Sequence, residues 1–240
     1  MNTLECAAFA AWPALEEQDL HGWRLRFADG YTKRANSANP TTESADLSAS
    51  QIADIEHRYR EQGLPPIFRL TSFSAPQYTD SVLAGKGYRF TDLSLVMVAP
   101  LSVEREAPSL SVAPDAETWL KAFQNVSGKL GPDQAIHLKL LRSIQSPCAF
   151  AVDLSAEGPV CCGLGVSVRD QLGLFDIATS QPYRGRGLAK KLCSSLLAWG
   201  RRSGAQSAFL QVAGSNTVAI RLYESMGFRR AYHYWYRVLA

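Results

Sequence analysis

At 240 residues with 46% hydrophobic content, the chain can build one large domain or two small ones around a true core. The formal charge is only +3, and the five cysteines form no C-x-x-C pair, which argues against nucleic acid as a partner and against a metal site. No apolar run approaches the ~20 residues that span a bilayer, and the start carries Glu5, Glu16 and Glu17 instead of the basic region of a signal peptide, so no membrane contact, reduced thiols and a cytoplasmic location are expected.

Leu4, Ala8, Ala11 and Leu15 are spaced for an amphipathic first helix. Trp23–Phe27 and Tyr31–Ala35 read as a hairpin turned by Asp29-Gly30. Ile52, Ile55 and Tyr59 recur at helical spacing within Asp46–Gln62, Ile67–Thr71 reads as a strand, and a helix through Val82 stops near Gly87. Residues 98–109 carry two prolines and three charges without a period and are the linker candidate, dividing 1–97 from 110–240.

Beyond that linker, Asp115 is placed to cap a helix carrying Trp119, Leu120, Phe123 and Val126, and Asp133 a second with Ile136, Leu140 and Ile144. Three strands follow, Ala149–Leu154, Val160–Val168 and Leu172–Thr179. The third runs into Tyr183-Arg-Gly-Arg-Gly-Leu-Ala189, and a helix with Leu188, Leu192, Leu196 and Trp199 on one face opens at once. A strand, a Gly-punctuated basic turn and a helix start make an anion site. Backbone N–H groups there have no helical partner, and Gly185 and Gly187 let a phosphate come close. Arg184, Arg186, Lys190 and Lys191 add positive charge. The P-loop pattern does not fit, and Lys190 stands where a dinucleotide fingerprint needs its third glycine. Ala208–Val212 then reads as a buried strand, Asn216 as a helix cap, and Ala219, Leu222, Tyr223 and Met226 as one side of a helix ending at Gly227. In a last strand from about Tyr232 to Val238, Tyr232, Tyr234 and Tyr236 share one face and His233 and Trp235 the other.

Arg184-x-x-Gly187-x-Ala189 resembles the [QR]-x-x-G-x-[GA] loop of the GNAT superfamily of N-acetyltransferases, which holds the pyrophosphate of acetyl-CoA. Asn216, Tyr223 and Gly227-Phe228 follow at the spacing of that family, so residues 109–240 resemble a GNAT domain, most strongly from Phe175 to Phe228. The resemblance implies a mixed α/β fold with a mostly antiparallel twisted sheet flanked by helices. Two of its parallel strands, here those ending at Thr179 and Val212, would splay apart around the pantetheine arm. It implies an N-acetyltransferase moving the acetyl group of acetyl-CoA to an amine. Backbone groups of Ile177, Ala178 and Thr179 would pair with pantetheine, and those of Gly185, Arg186, Gly187, Leu188 and Ala189 with pyrophosphate. Arg184 or Arg186 would reach the 3′-phosphate side, and Asn216 would touch the cofactor, cap its helix, or do both. Tyr223 would be the general acid, the alternative being a packed aromatic, and Asp176 the base, ahead of Glu157, His137, His233 and Tyr234. The acceptor is expected to be a small molecule; a protein N-terminus or lysine, and a CoA-binding module without turnover, are the alternatives.

The two halves also resemble each other. Val82 to Gly87-Tyr88 matches Leu222 to Gly227-Phe228, where 222 − 82 and 227 − 87 both give 140, and Arg34–Pro40 matches Asp176–Pro182 at 142. The first half departs where the chemistry would lie. Its loop, Asn39 to Ser44 with Glu43, has no glycine pair and no arginine. Leu83 replaces the tyrosine and Pro76 the asparagine. A first half without a cofactor loop is therefore expected, serving packing, a homodimer contact, or the shape of the acceptor cleft.

Overall fold

Short apolar runs alternating with helical periods produce two successive series of elements. The structure, a computed structural model, describes residues 3–42, 46–74, 77–101, 109, 111–128 and 133–239; Glu43, Ser44, Pro76 and residues 102–108 of the linker candidate lie outside them. The first series is α1 (Thr3–Ala11), β1 (Glu16–Leu20), β2 (Trp23–Phe27), β3 (Ala38–Pro40), α2 (Ala49–Glu61), β4 (Ile67–Thr71), α3 (Gln77–Gly85) and β5 (Tyr88–Pro100). The second is α4 (Ala116–Ser127), α5 (Gln134–Ser143), β6 (Cys148–Ser155), β7 (Gly158–Val168), β8 (Gln171–Thr179), α6 (Leu188–Arg202), β9 (Ser207–Ala213), α7 (Thr217–Ser225) and β10 (Arg229–Leu239).

One ten-stranded sheet runs β1-β2-β3-β4-β10-β5-β9-β8-β7-β6. Only β3–β4 and β8–β9 are parallel; the other neighbouring pairs are antiparallel. This is the mixed, mostly antiparallel sheet that the sequence implies. Its order is palindromic, and the two series trade their last strands. β10 lies against β4, and β5 against β9 from Ser94↔Ala213 to Pro100↔Ser207, with β5 and β10 paired at the centre. The tyrosine face of β10 is buried, with Tyr232, Tyr234 and Tyr236 each under a tenth exposed.

Several local expectations need correction. Val98–Pro100 are the end of β5 and not linker, because Pro100 terminates the strand, where a missing N–H costs least. The hairpin is β1–β2, turned through His21 (φ 53°) and Gly22 (φ 75°). Tyr31–Ala35 forms no strand. Asn36 Oδ1 accepts from Ala28 N at 2.7 Å and Gly30 N at 3.0 Å, so a side chain closes that turn, and Lys33–Ala35 is a single 3₁₀ turn. β1, with the sequence EEQDL, has no strand-like composition and is a charged edge. Helix α1 stops at Ala11 ahead of Pro13, leaving Leu15 outside it and 40% exposed. Asp115 caps α4 through Thr118 N as expected, whereas the Asp133 side chain makes no cap bond and α5 turns His137, not Ile136, into the core.

A buried ion pair ties α1 to the centre of the sheet. Arg69 of β4 grips Glu5 with both terminal nitrogens, Nη2 donating to Oε1 at 2.9 Å, while Tyr232 of β10 donates to Oε1 and the Tyr234 ring lies 3.8 Å beneath the guanidinium. Burial pushes the Glu5 carboxyl up, but the Arg69 charge and the hydrogen bonds from Arg69 and Tyr232 outweigh it, so Glu5 titrates below its usual value. The stabilisation is therefore complete above the unfolded carboxyl's pKa, about 4.3, and is lost as pH falls through the lower folded value. Urea unfolding at pH 7 should show Arg69→Met destabilised by about 3–5 kcal/mol, because Glu5 is left as an unpaired buried charge. The Glu5→Leu/Arg69→Met pair should recover most of that loss, and equal losses in both variants would contradict the assignment.

Candidate active site

The parallel pair β8–β9 holds only from Gln171↔Ser207 to Leu174↔Leu210. Beyond these residues the strands part. β8 continues to Thr179 on β7 alone, through Cys162↔Ala178 and Cys161↔Thr179. β9 continues to Ala213 on β5 alone. The facing edges of Phe175–Thr179 and Gln211–Ala213 thus keep backbone groups that no strand satisfies.

A bulge aims β8 at this gap. Gly163 of β7 stands opposite two residues, Asp176 and Ile177, and Asp176 adopts φ 48°, a left-handed conformation that costs a non-glycine residue of order 1 kcal/mol. Gly163 is required there, since a Cβ would sit 2.4 Å from Ile177 Cδ1 and 2.9 Å from Leu192 Cδ2. The bulge turns the Asp176 carboxylate toward the groove, with only 19% of its side chain exposed.

The groove in the gap has a volume of about 800 Å³. Its floor is Asp176, Ile177, Ala178 and Thr179; its basic end is Arg184, Gly185, Gly187, Leu188, Ala189 and Lys190; its far wall carries Asn216 and Tyr223. Of the site residues expected from sequence, only Arg186 does not line it. Its guanidinium stacks 5.0 Å over the Tyr183 ring on the surface. Gly185 and Gly187 adopt φ 74° and 76°, and open space lies where their Cβ atoms would be. Arg184 spends Nε on Thr179 O at 3.1 Å and so ties the loop to the end of β8. The first turn of α6 has no side-chain cap, and its first helical bond is Lys191 N to Gly187 O. The N–H groups of Leu188, Ala189 and Lys190 therefore find no acceptor among the described residues, and they face the groove with the positive end of the helix dipole.

Asn216 does both things considered for it. It caps α7 by accepting from Ala219 N at 3.1 Å, and it lines the groove. Tyr223 is 7% exposed, packs at 5.9 Å on Phe228, and its hydroxyl has no hydrogen-bond partner among the described residues. Burial, with lesser contributions from the Cys193 and Cys161 thiols, raises its phenol well above the usual value. Tyr223 is therefore a protonated donor at any physiological pH.

Behind Asp176, outside the groove's lining, lies what sequence reasoning ranked low or missed. His137 of α5 brings Nε2 to 3.2 Å from Asp176 Oδ2, off the alignment of a hydrogen bond, and both atoms are buried with no other partner. Trp12 and Tyr31, from the first series, stand against the same imidazole at 5.7 and 4.9 Å. Burial, then the carboxylates of Asp176 and Asp133, push the Tyr31 phenol up. No spacing in the sequence announces these partners, and Trp12 and Tyr31 lie more than a hundred residues before His137.

Among the described residues no helix is long and apolar enough to cross a membrane, and no His, Cys, Asp and Glu cluster is arranged to hold a metal. Residues 1–237 match a family model described as "Probable histone acetyltransferase Rv0428c C-terminal". Two curated relatives align along nearly the whole chain. The "Uncharacterized N-acetyltransferase YobR" of Bacillus subtilis is 29% identical over 99% of this chain and 98% of its own length. The "Probable histone acetyltransferase Rv0428c" of Mycobacterium tuberculosis is 28% identical over 97% of this chain and 72% of its own. A solved GCN5-related N-acetyltransferase from Kribbella flavida superposes with a TM-score of 0.70 at 13% identity, over 98% of this chain and 93% of that one. With the family model spanning both series of elements, the chain belongs to the Rv0428c C-terminal family of GNAT N-acetyltransferases, and it is an acyltransferase enzyme.

Proposed function

We propose that the protein is an acetyl-CoA-dependent N-acetyltransferase with one donor site per chain, in residues 110–240, and that its acceptor is the amine of a small molecule. The observation that carries the donor assignment is the splayed β8–β9 pair running straight into the bare N-terminus of α6. Those features suit a ligand with a row of amides at one end and a pyrophosphate at the other. Acetyl-CoA, when bound, supplies a thioester whose acyl carbon accepts a nucleophile.

The chain's own residues then have distinct tasks. The N–H groups of Leu188, Ala189 and Lys190 donate to phosphate oxygens, the helix dipole contributing about 0.3–1 kcal/mol per charge. Gly185 and Gly187 keep the approach clear of side chains. Lys190 adds charge at the rim, and Arg184, fixed to Thr179 O, holds the loop in shape. Backbone groups of Ile177, Ala178 and Thr179 pair with pantetheine amides as a strand would. Asp176 accepts the proton of the attacking amine, and Tyr223 gives a proton to the departing thiol sulfur. The first series, which ends with β5, has no cofactor loop and closes the acceptor end through Trp12 and Tyr31.

The low exposure of the Asp176 side chain, 19%, beside the ring-packed His137 favours a slender amine over a wide polypeptide surface. The second reading, a protein lysine acceptor, is favoured by the printed name of the Mycobacterium tuberculosis relative. A panel of tyramine, glucosamine, spermidine, an alanine-initiated peptide and a lysine-rich histone-tail peptide separates them. Product mass spectrometry should find acetylated small amines, and turnover of the histone-tail peptide alone would decide for the second reading.

Gly187→Glu should weaken acetyl-CoA binding at least ~100-fold by calorimetry, because it places a carboxylate in the open space before the α6 N-terminus and strains a left-handed position by about 1 kcal/mol. Retained affinity would sink the loop assignment. Tyr223→Phe should lower kcat by about 10²-fold, the usual worth of a general acid, with acetyl-CoA affinity unchanged. Unaltered kcat in stopped-flow thiol release would remove Tyr223 from the mechanism.

A further inference from the structure

We infer that His137 is the positioning residue for Asp176: its imidazole holds the carboxylate toward the amine from inside an aromatic wall that both series of elements build. The inference rests on the assignment of Asp176 as the base. His137 is 3% exposed and does not line the groove, so it cannot touch the acceptor and acts only through Asp176. Its Nε2 lies 3.2 Å from Asp176 Oδ2, and neither atom has an aligned partner. A buried polar pair left unsatisfied is costly, of order 1–3 kcal/mol, and native folds keep such pairs where they serve a purpose. Catalytic hydrogen bonds are commonly misaligned in empty sites and tighten when substrate arrives.

The surroundings fix where the imidazole can go. Tyr31 stacks on it at 4.9 Å, Trp12 tilts against it at 5.7 Å, and Phe123 and Trp119 meet it edge-on at 5.6 and 6.3 Å. Four rings pack around the imidazole, and the polar side-chain atom beside its Nε2 among the described residues is Oδ2 of the bulged, left-handed Asp176. The proton balance is simple. The amine nitrogen gives its proton to Asp176 as the acyl bond forms, and the His137 N–H donates throughout without being transferred.

The test uses the full chain, acetyl-CoA, and whichever of tyramine, glucosamine, spermidine or the two peptides turns over fastest. His137→Leu should lower kcat by about 30-fold, within the worth of a general base, while KM for acetyl-CoA stays within about twofold. His137→Gln, whose amide donates from a similar reach, should recover at least ~5-fold of that loss. In an Asp176→Asn background, His137→Leu should cost under ~2-fold more, since the two act as one unit. If the Leu variant does not bind acetyl-CoA by calorimetry, His137→Asn, one methylene short of the carboxylate, replaces it. Losses that multiply in the double variant, or a Gln variant no better than Leu, overturn the inference alone. Full kcat in Asp176→Asn, or no turnover of any amine, overturns the base assignment and the inference with it.

Discussion

The exchange of β5 and β10 is the constraint on which the rest depends. β9 forms one wall of the groove and is parallel-paired to β8 over four residues only. Its other edge is held by β5, a strand of the first series, through seven residue pairs. Without β5, β9 would be an edge strand with both flanks free past Leu210, and nothing would keep it apart from β8 at a fixed distance. Gly214 N donates to Leu93 O at 2.7 Å just past the end of β9, so the same strand also fixes the start of α7, where Asn216 and then Tyr223 are carried. The position of the proposed acid thus depends on the half of the chain that lacks a cofactor loop.

The same dependence appears on the other side of the gap. β8 is straight where it pairs with β9 and bulged where it leaves it, and the bulge requires Gly163 opposite and a strained Asp176. Strain at one residue is affordable because β7 pairs with β8 on both sides of it, at Leu164↔Phe175 and Cys162↔Ala178. Behind the bulge, Trp12 stacks on Phe175 at 5.6 Å, and Arg34 lies 5.5 Å over Trp12, which presses the end of α1 onto β8. α1 is in turn anchored at Glu5 by Arg69 and Tyr232. The carboxylate is aimed by a chain of contacts that passes through both series.

What the sequence disclosed follows the physics of each feature. Local signals were legible: the Asp115 and Asn216 caps, the glycines of the loop, and the period of α6 depend on neighbours within a few residues. The splay was legible only through resemblance, since nothing in Phe175–Thr179 or Ala208–Val212 states that pairing stops at Leu174 and Leu210. The hairpin misreading came from trusting Asp29-Gly30, a real turn with φ 50° and 77°, while the Asn36 side chain takes up the backbone groups that a strand would have used. The strand exchange and the His137–Asp176 contact join residues far apart in sequence, and they depend on which edges remain free after every shorter-range element has formed.

The comparison of the two helix starts explains why one half of a repeated plan would bind a ligand and the other not. α2 and α6 occupy equivalent places after β3 and β8. α2 closes its own N-terminus with a capping box, Ser48 Oγ accepting from Gln51 N and Gln51 Oε1 accepting from Ser48 N. α6 begins at Gly187 with no side chain to do so. In the first series Leu83, fully buried in a cluster with Trp23, Phe68 and Tyr88, sits at the place of Tyr223. At α2 the capping box already takes up Gln51 N and Ser48 N, whereas no side chain caps the start of α6. A phosphate arriving at α2 would have to displace hydrogen bonds already made, whereas at α6 it replaces only water.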